Sequence, residues 1–178
     1  MDLFAKIDSK KNAVDGAWRQ ADGQLISPSK PYARLELPAA PKGSYRLESQ
    51  FTRIQGTCTT FMLPIGKTGT VLVLGGWNGK VSGLAYVNGR DAQRNETTRD
   101  GNYSANQKHT LLAEVRLLPE KKAKLTVMLD GKPYLNWEGP LTALKPDRFW
   151  KLHQSGSIGI GSYGSTIVFH SCQLQELD

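Results

Sequence analysis

Short stretches in which apolar and polar residues alternate, separated by turns rich in Gly and Pro, recur along nearly the whole chain. Residues 44–53 and 109–118 show the alternation most regularly. Because successive side chains of a strand point to opposite faces, this pattern predicts half-buried β-strands. The spacing indicates about twelve strands joined by turns. The one stretch of helical composition, residues 141–145, lies between two prolines that limit it to a short turn.

A chain of strands without helices can adopt few topologies. Parallel strands require crossover connections, which are usually helices. We therefore predict an all-β fold in which two antiparallel sheets stack as a jelly-roll sandwich. Residues 71–74, Val-Leu-Val-Leu, are apolar on both faces and predict a buried central strand. A length of 178 residues fits one domain, so we predict that residues 1–178 form a single sandwich.

The net charge of +7 raises the question of nucleic-acid binding. The basic residues are spread along the chain, and their densest clusters, residues 10–11 and 121–124, fall in predicted turns. We therefore expect no nucleic-acid partner. No apolar run approaches the ~20 residues of a membrane span, so we expect no membrane insertion. The start of the chain does not resemble a signal peptide, which leaves the location open, with extracellular or cell-envelope display if the chain is a fragment.

Cys58 and Cys172 are the only cysteines, and both lie in apolar, strand-like stretches. We expect two buried thiols. A disulfide is the alternative if strands from the two ends of the chain lie side by side. Two cysteines alone are too few for a structural zinc site, and no His spacing typical of a metal site occurs.

The order of several short motifs carries a resemblance. Trp18 and the Asp22-Gly23 turn come first, residues 45–51 follow a Pro-rich turn, and a second Asp-Gly turn lies at 130–131. The chain closes with Gly-Ser-Ile-Gly-Ile-Gly at 156–161 and an alternating segment at 167–174. This order resembles the concanavalin A-like lectin/glucanase superfamily, including its laminin-G-like and 3-keto-disaccharide hydrolase-type sandwich domains.

The resemblance implies a jelly roll with a concave face. Members bind glycans on that face or at its rim, some with calcium, and some hydrolyse glycosidic bonds. Hydrolysis requires a pair of carboxylates. The Glu-x-Asp-x-x-Glu motif of the glucanase branch is absent here. We therefore expect no catalytic residues; if the protein is an enzyme, Glu48 and Glu114, on polar strand faces, are the candidate pair.

Aromatic and amide side chains give the stronger signal for sugar binding. Flat rings stack on the apolar face of a pyranose, while amides and Arg bond its hydroxyls. Trp77 lies in a Gly-rich turn, where it has few packing partners. The predicted ligand-binding residues are Trp77, Asn78, Asn95, Arg99 and Tyr163.

Residues 90–107 are polar and predict a long structureless loop, which is often functional. The oxygen-bearing side chains that could hold calcium there are Asp91, Asn95, Glu96, Asp100 and Asn102. Three arginines of the same loop, Arg90, Arg94 and Arg99, oppose a cation, so we expect no cofactor, with calcium as the alternative. These arginines, close to a Trp, favour an acidic glycan.

Together these observations predict a non-catalytic carbohydrate-binding module, an accessory domain of a larger bacterial protein. Its expected partners are a glycan or polysaccharide and other domains of the parent protein. Two alternatives stay open. One is a glycoside hydrolase or lyase of the same fold, and the other is a protein-interaction domain that binds no sugar.

Overall fold

The structure, a computed structural model, describes residues 1–177. Its strands are β1 (Ala13–Asp15), β2 (Arg19–Ala21), β3 (Gln24–Ile26), β4 (Ala33–Glu36), β5 (Ser44–Gln55), β6 (Cys58–Ile65), β7 (Thr68–Gly75), β8 (Val81–Leu84), β9 (Tyr86–Val87), β10 (Arg90–Asp91), β11 (Arg99–Asp100), β12 (Lys108–Leu118), β13 (Lys122–Leu129), β14 (Lys132–Pro140), β15 (Gly159–Tyr163) and β16 (Thr166–Leu177). The helical segments are α1 (Ser9–Asn12), the turn α2 (Gly76–Gly79) and two 3-10 turns, Leu141–Ala143 and Arg148–Trp150.

Two seven-stranded sheets stack face to face. Sheet 1 has the strand order β1-β4-β15-β6-β7-β8-β11, and sheet 2 has the order β14-β13-β12-β5-β16-β3-β2. Neighbouring strands in both sheets are antiparallel. The predicted all-β class and the two-sheet antiparallel jelly-roll sandwich are therefore confirmed.

Alternating residues of the long strands build the core between the sheets. Tyr45, Leu47 and Phe51 of β5 are fully buried. The Phe51 ring meets the Phe61 ring of sheet 1 edge-on, with centroids 5.8 Å apart, and Phe61 meets Phe169 at 6.0 Å. Burying each such ring contributes about 1.5–3 kcal/mol, so these contacts join the two sheets firmly.

Three two-residue hairpin turns, those between β2 and β3, β9 and β10, and β13 and β14, are Asp-Gly or Asn-Gly pairs. Asp22, Asn88 and Asp130 adopt φ angles of 51°, 50° and 53°, and a glycine of positive φ follows each. Asp and Asn tolerate this left-handed conformation better than most residues, which is why these pairs suit tight hairpins.

The structure corrects one sequence prediction and agrees with another. Residues 90–107 do not form a structureless loop, because they contain β10 and the edge strand β11 and bury Thr97 completely. The thiols of Cys58 and Cys172 are both free and buried, so the expected pair of buried thiols is found and the disulfide alternative is not. No helix within residues 1–177 has the length and apolar character needed to cross a membrane.

Candidate functional site

A second hydrophobic cluster lies on the outer face of sheet 1, separate from the sandwich core. Trp150 packs on this face. The buried side chains beneath it are Cys58, Met62, Val71, Val73 and Ala85. The outer face of an antiparallel sheet normally alternates to polar side chains that contact water. This apolar outer face is therefore a surface that is either covered or available for binding.

Residues 146–157, here called the strap, cover part of this face. Two side chains of β4 hold the strap backbone. Arg34 Nε donates to the Lys151 carbonyl at 2.6 Å, and the Glu36 carboxylate accepts from the Gln154 N–H at 2.8 Å. Because both bonds are made by one strand, the strap has a defined position across the sheet.

The strap separates two hollows, and Trp150 lines both. The larger hollow, here called the aromatic groove, has a volume of about 580 Å³, which is within the range of ligand pockets. Its aromatic lining residues are Tyr32, Trp77, Tyr86, Phe149, Trp150 and Tyr163.

Tyr32 organises one wall of the aromatic groove. Its ring stacks on Phe149 with centroids 5.1 Å apart, and it meets Trp150 and Tyr163 edge-on at 5.3 and 4.9 Å. Phe149 and Tyr163 nevertheless remain 45% exposed, and Trp77 of the opposite turn is 40% exposed. Tyr32, Phe149 and Tyr163 thus hold one another in place, and Phe149, Tyr163 and Trp77 all keep free surface for a ligand.

Trp77 and Asn78 project from the tight turn between β7 and β8. Their φ/ψ angles of 50°/53° and 58°/41° are left-handed, which costs a residue with a side chain about 1–2 kcal/mol. The adjacent Gly75 is also left-handed, and its N–H donates to Ser82 Oγ at 3.0 Å, which anchors the turn. Strained backbone of this kind concentrates at ligand-binding sites.

Two carboxylates, those of Asp91 and Asp147, line the groove. None of its described lining residues is a Lys or an Arg. Asp147 accepts from the Phe149 N–H at 2.9 Å. Asp91 accepts from the Gln93 N–H at 3.1 Å and from Arg94 at 3.2 Å. An ionised carboxylate has about four acceptor sites, so both retain capacity for a ligand hydroxyl. Apolar rings beside acceptors suit an uncharged ligand rich in hydroxyl groups.

Three of the five predicted ligand-binding residues meet in the groove. Trp77, Asn78 and Tyr163 all line it, although β15 and the β7–β8 turn that carry them are far apart in sequence. The Gly residues beside Trp77 and Tyr163 allow the turns that expose these rings.

Asn95 and Arg99 do not line the groove. Both polar ends of the Asn95 amide are bonded inside the loop, with Nδ2 donating to the Leu84 carbonyl at 2.9 Å and Oδ1 accepting from the Thr97 N–H at 2.9 Å. The Arg99 side chain is exposed on the edge strand β11, where it donates to the Thr98 carbonyl. The predicted acidic glycan lacks its expected support, because no arginine of this loop lines the groove.

The sequence-based predictions did not include Tyr32, Phe149 or Trp150, which also line the groove. The sequence does contain an indication of these residues. Pro31 precedes Tyr32, and Pro146 precedes the Asp-Arg-Phe-Trp segment, and proline disfavours the interior of a sheet. Aromatic residues in such irregular segments are candidates for ligand contact, as Trp77 is.

Glu48 and Glu114 lie on the outer face of sheet 2, on the opposite side of the sandwich from the groove. Arg116 and Arg46 donate to the Glu114 carboxylate at 2.8 and 2.7 Å and hold its pKa below its usual range. A general acid needs the opposite shift, so Glu114 is suited to pairing sheet strands rather than to protonating a glycoside.

The oxygen-bearing side chains of residues 90–107 bond mainly to the protein itself. Glu96 accepts from the Trp137 indole at 3.1 Å, and Asp100 accepts from the Asn102 N–H at 2.9 Å. Within residues 1–177, no three His, Cys, Asp or Glu side chains converge as a metal site would require. Calcium binding by this segment stays a sequence-based prediction.

The one thiol at the groove, Cys58, is a poor nucleophile. Burial raises its pKa to about 12, so it remains protonated at neutral pH. A protonated thiol neither attacks a substrate nor ligates a metal. Cys58 therefore contributes apolar surface to the floor of the groove.

No family model matches the sequence, and no match is found among curated proteins. Solved structures share the fold. The carbohydrate-binding module CBM66 from Bacillus subtilis is 14% identical, with a TM-score of 0.64 over 92% of this chain and 94% of that chain. The Emp46p carbohydrate recognition domain is 12% identical, with a TM-score of 0.61 over 97% and 93%. The alginate lyase Aly36B is 11% identical, with a TM-score of 0.62 over 99% and 96%.

These similarities define the class of fold. The chain is a two-sheet antiparallel β-sandwich, an architecture that it shares with a carbohydrate-binding module, a carbohydrate recognition domain and an alginate lyase. At such low identity the likeness concerns the fold alone, because one fold hosts many functions and function resides in the site.

Proposed function

We propose that this chain is a non-catalytic carbohydrate-binding module of the concanavalin A-like lectin/glucanase superfamily, and that a sugar binds in the aromatic groove. One observation carries the proposal. Trp77, Phe149 and Tyr163 each keep 40–45% of their surface exposed around one hollow. Partly exposed rings arranged around a single cleft offer the flat apolar surface that the face of a pyranose contacts.

Hydrogen bonding in the groove supports the same ligand class. Asp91, Asp147 and Asn78 surround the rings, and they can accept from or donate to sugar hydroxyls. Two of the similar solved structures are described as a carbohydrate-binding module and a carbohydrate recognition domain. The accessory role in a larger bacterial protein belongs to this proposal and rests on the superfamily resemblance.

The lyase or hydrolase alternative has one supporting observation, the two carboxylates Asp91 and Asp147 in one groove. Each is already engaged, Asp91 by Arg94 and Asp147 by the Phe149 N–H. Incubating the protein with a bound oligosaccharide and separating the products tests this alternative directly, and the proposal predicts no cleavage.

A glycan array probed with the wild type, Trp77→Ala and Trp77→Phe tests the proposal. The wild type should bind a defined set of glycans. Trp77→Ala should reduce affinity by at least about tenfold because it removes a stacking surface, while Trp77→Phe keeps a ring and should retain most of the binding. Thermal unfolding of each variant serves as the folding control. Binding that is absent in the wild type, or equal in wild type and Trp77→Ala, would contradict the proposal.

A further inference from the structure

The smaller hollow, here called the basic cavity, lies on the other side of Trp150 and has a volume of about 300 Å³. Met62 and Val71 of sheet 1 and Leu152 of the strap supply its apolar surface. Trp150 and Asp147 line both hollows. A ligand long enough to cross the strap at Trp150 would therefore reach from the aromatic groove into the basic cavity.

Three exposed cationic side chains line the basic cavity: Lys67, Arg148 and Lys151. Within residues 1–177, no carboxylate forms an ion pair with any of them. Asp147 is the only carboxylate in the lining, so the cavity carries a net charge of +2, whereas the lining of the aromatic groove carries −2. Two adjoining hollows of opposite charge are suited to different parts of a ligand.

Arg148 lies at the boundary between the hollows. Its guanidinium carbon is 4.8 Å from the centroid of the Phe149 ring, and Phe149 lines the aromatic groove. A planar guanidinium held over a ring is partly preorganised to bond the two oxygens of a carboxylate or sulfate. The hydroxyl group of Ser155 lines the same cavity and can donate to an anion.

We propose that the basic cavity binds an anionic substituent, a carboxylate or a sulfate, of the same glycan whose uncharged sugar stacks in the aromatic groove. This inference rests on the proposed function. The attraction comes from cations that form no ion pair within residues 1–177 and lie beside an apolar surface, where screening by water is weaker than in bulk solvent. The arginines of residues 90–107 are not involved, because none lines either hollow.

The test is an array that carries neutral, uronate-containing and sulfated glycans built on the same backbones. The cavity variant combines Lys67→Gln, Arg148→Gln and Lys151→Gln, all at exposed positions. The matched control combines Lys42→Gln, Lys121→Gln and Lys132→Gln, which remove the same charge from exposed positions that line neither hollow. Affinity is measured at low and at high salt.

The wild type should bind the anionic glycans at least about tenfold more tightly than their neutral counterparts at low salt, and high salt should reduce the difference. The cavity variant should lose this preference, measured as the ratio of its affinities for the anionic and the neutral form of each glycan, and the control variant should keep the wild-type ratio. The uronate and sulfate arms identify which anion is bound.

Each failure has a separate meaning. Equal binding of neutral and anionic glycans, or an equal loss in the control variant, overturns the inference and leaves the proposed function standing. Binding of no glycan in any arm overturns the proposed function, and the inference falls with it.

Discussion

Asn95 uses its whole side-chain amide inside the protein. Nδ2 donates to the carbonyls of Leu84 and Arg90 at 2.9 and 3.1 Å, and Oδ1 accepts from the Thr97 N–H at 2.9 Å. Asn95→Ala should lower the free energy of unfolding by about 1–3 kcal/mol, because groups in a partly buried segment lose their partners. Urea denaturation measures this change.

Arg99→Ala is the control for Asn95→Ala, since the two residues had the same predicted role. The Arg99 side chain is exposed, so its removal should change the free energy of unfolding by less than about 0.5 kcal/mol. A larger loss from Arg99→Ala than from Asn95→Ala would show that this segment is held differently.

At the scale of elements, the strap depends on Glu36, which is 8% exposed and accepts from the Gln154 N–H. Glu36→Ala leaves that N–H without its partner and should cost about 1–3 kcal/mol of stability. It should also weaken glycan binding, although Glu36 itself lines neither hollow, because the strap carries Phe149 and Trp150.

Hydrogen exchange separates this effect from a general loss of stability. In Glu36→Ala the strap amides should exchange faster than those of β12, whereas the exposed control Glu138→Ala should leave both unchanged. Uniformly faster exchange throughout Glu36→Ala would mean that Glu36 stabilises the whole sandwich and not the strap in particular.

Glu114 joins β5 to β12 through an ion pair with Arg46, and Arg116 donates to the same carboxylate. Both lower its pKa below 4.5. A carboxyl whose pKa falls on folding stabilises the protein above its unfolded-state pKa, and this contribution is lost as the pH falls through the folded-state pKa. Glu114→Gln should therefore be less stable than the wild type at pH 7, by up to about 1 kcal/mol.

The pH dependence is the decisive part of that prediction. The difference between wild type and Glu114→Gln should shrink as the pH falls below 4.5, in chemical denaturation followed from pH 7 downwards. A difference that stays constant or grows at low pH would show that the two arginines do not stabilise the carboxylate.

The sheets could be predicted from sequence because each strand carries local information. The alternation of β5 and β12 distinguishes a core face from a solvent face, and the Asp-Gly pair at 130–131 defines a tight turn on its own. The strap could not be predicted this way. Its contacts with Arg34 and Glu36 span 117 and 118 residues, and no periodic pattern indicates where such a segment will lie.

The residues of the candidate site also differ in whether local sequence or distant contacts determine their position. Trp77 and Tyr163 are flanked by glycines, so their exposure follows from local turn chemistry. Tyr32 and Phe149 line the groove because Tyr32 packs on Phe149 of the strap, a contact between residues that are distant in sequence. Asn95 has the composition of a binding residue but bonds to its own loop, a distinction that requires coordinates.

At the scale of the whole molecule, the two thiols belong to different layers. Cys58 lies in the cluster on the outer face of sheet 1, and Cys172 lies in the core between the sheets. Burial raises the pKa of each to about 12. A thiol reagent should react slowly with the native protein, whereas after denaturation it should react with both thiols. A reducing agent should not change the Tm. A mass 2 Da below that of the reduced chain would contradict this, since it would mean a disulfide.

The central claim is that a sugar stacks in the aromatic groove, and the four tryptophans offer a direct test. Trp77 and Trp150 line the groove, whereas Trp18 and Trp137 are buried in the core. A glycan that binds on the array is titrated into nitrogen-15-labelled protein, and the four indole N–H signals are followed by NMR. The signals of Trp77 and Trp150 should shift with the saturation of binding, and those of Trp18 and Trp137 should stay in place. Saturable binding that leaves the Trp77 and Trp150 signals unmoved would contradict the proposed site.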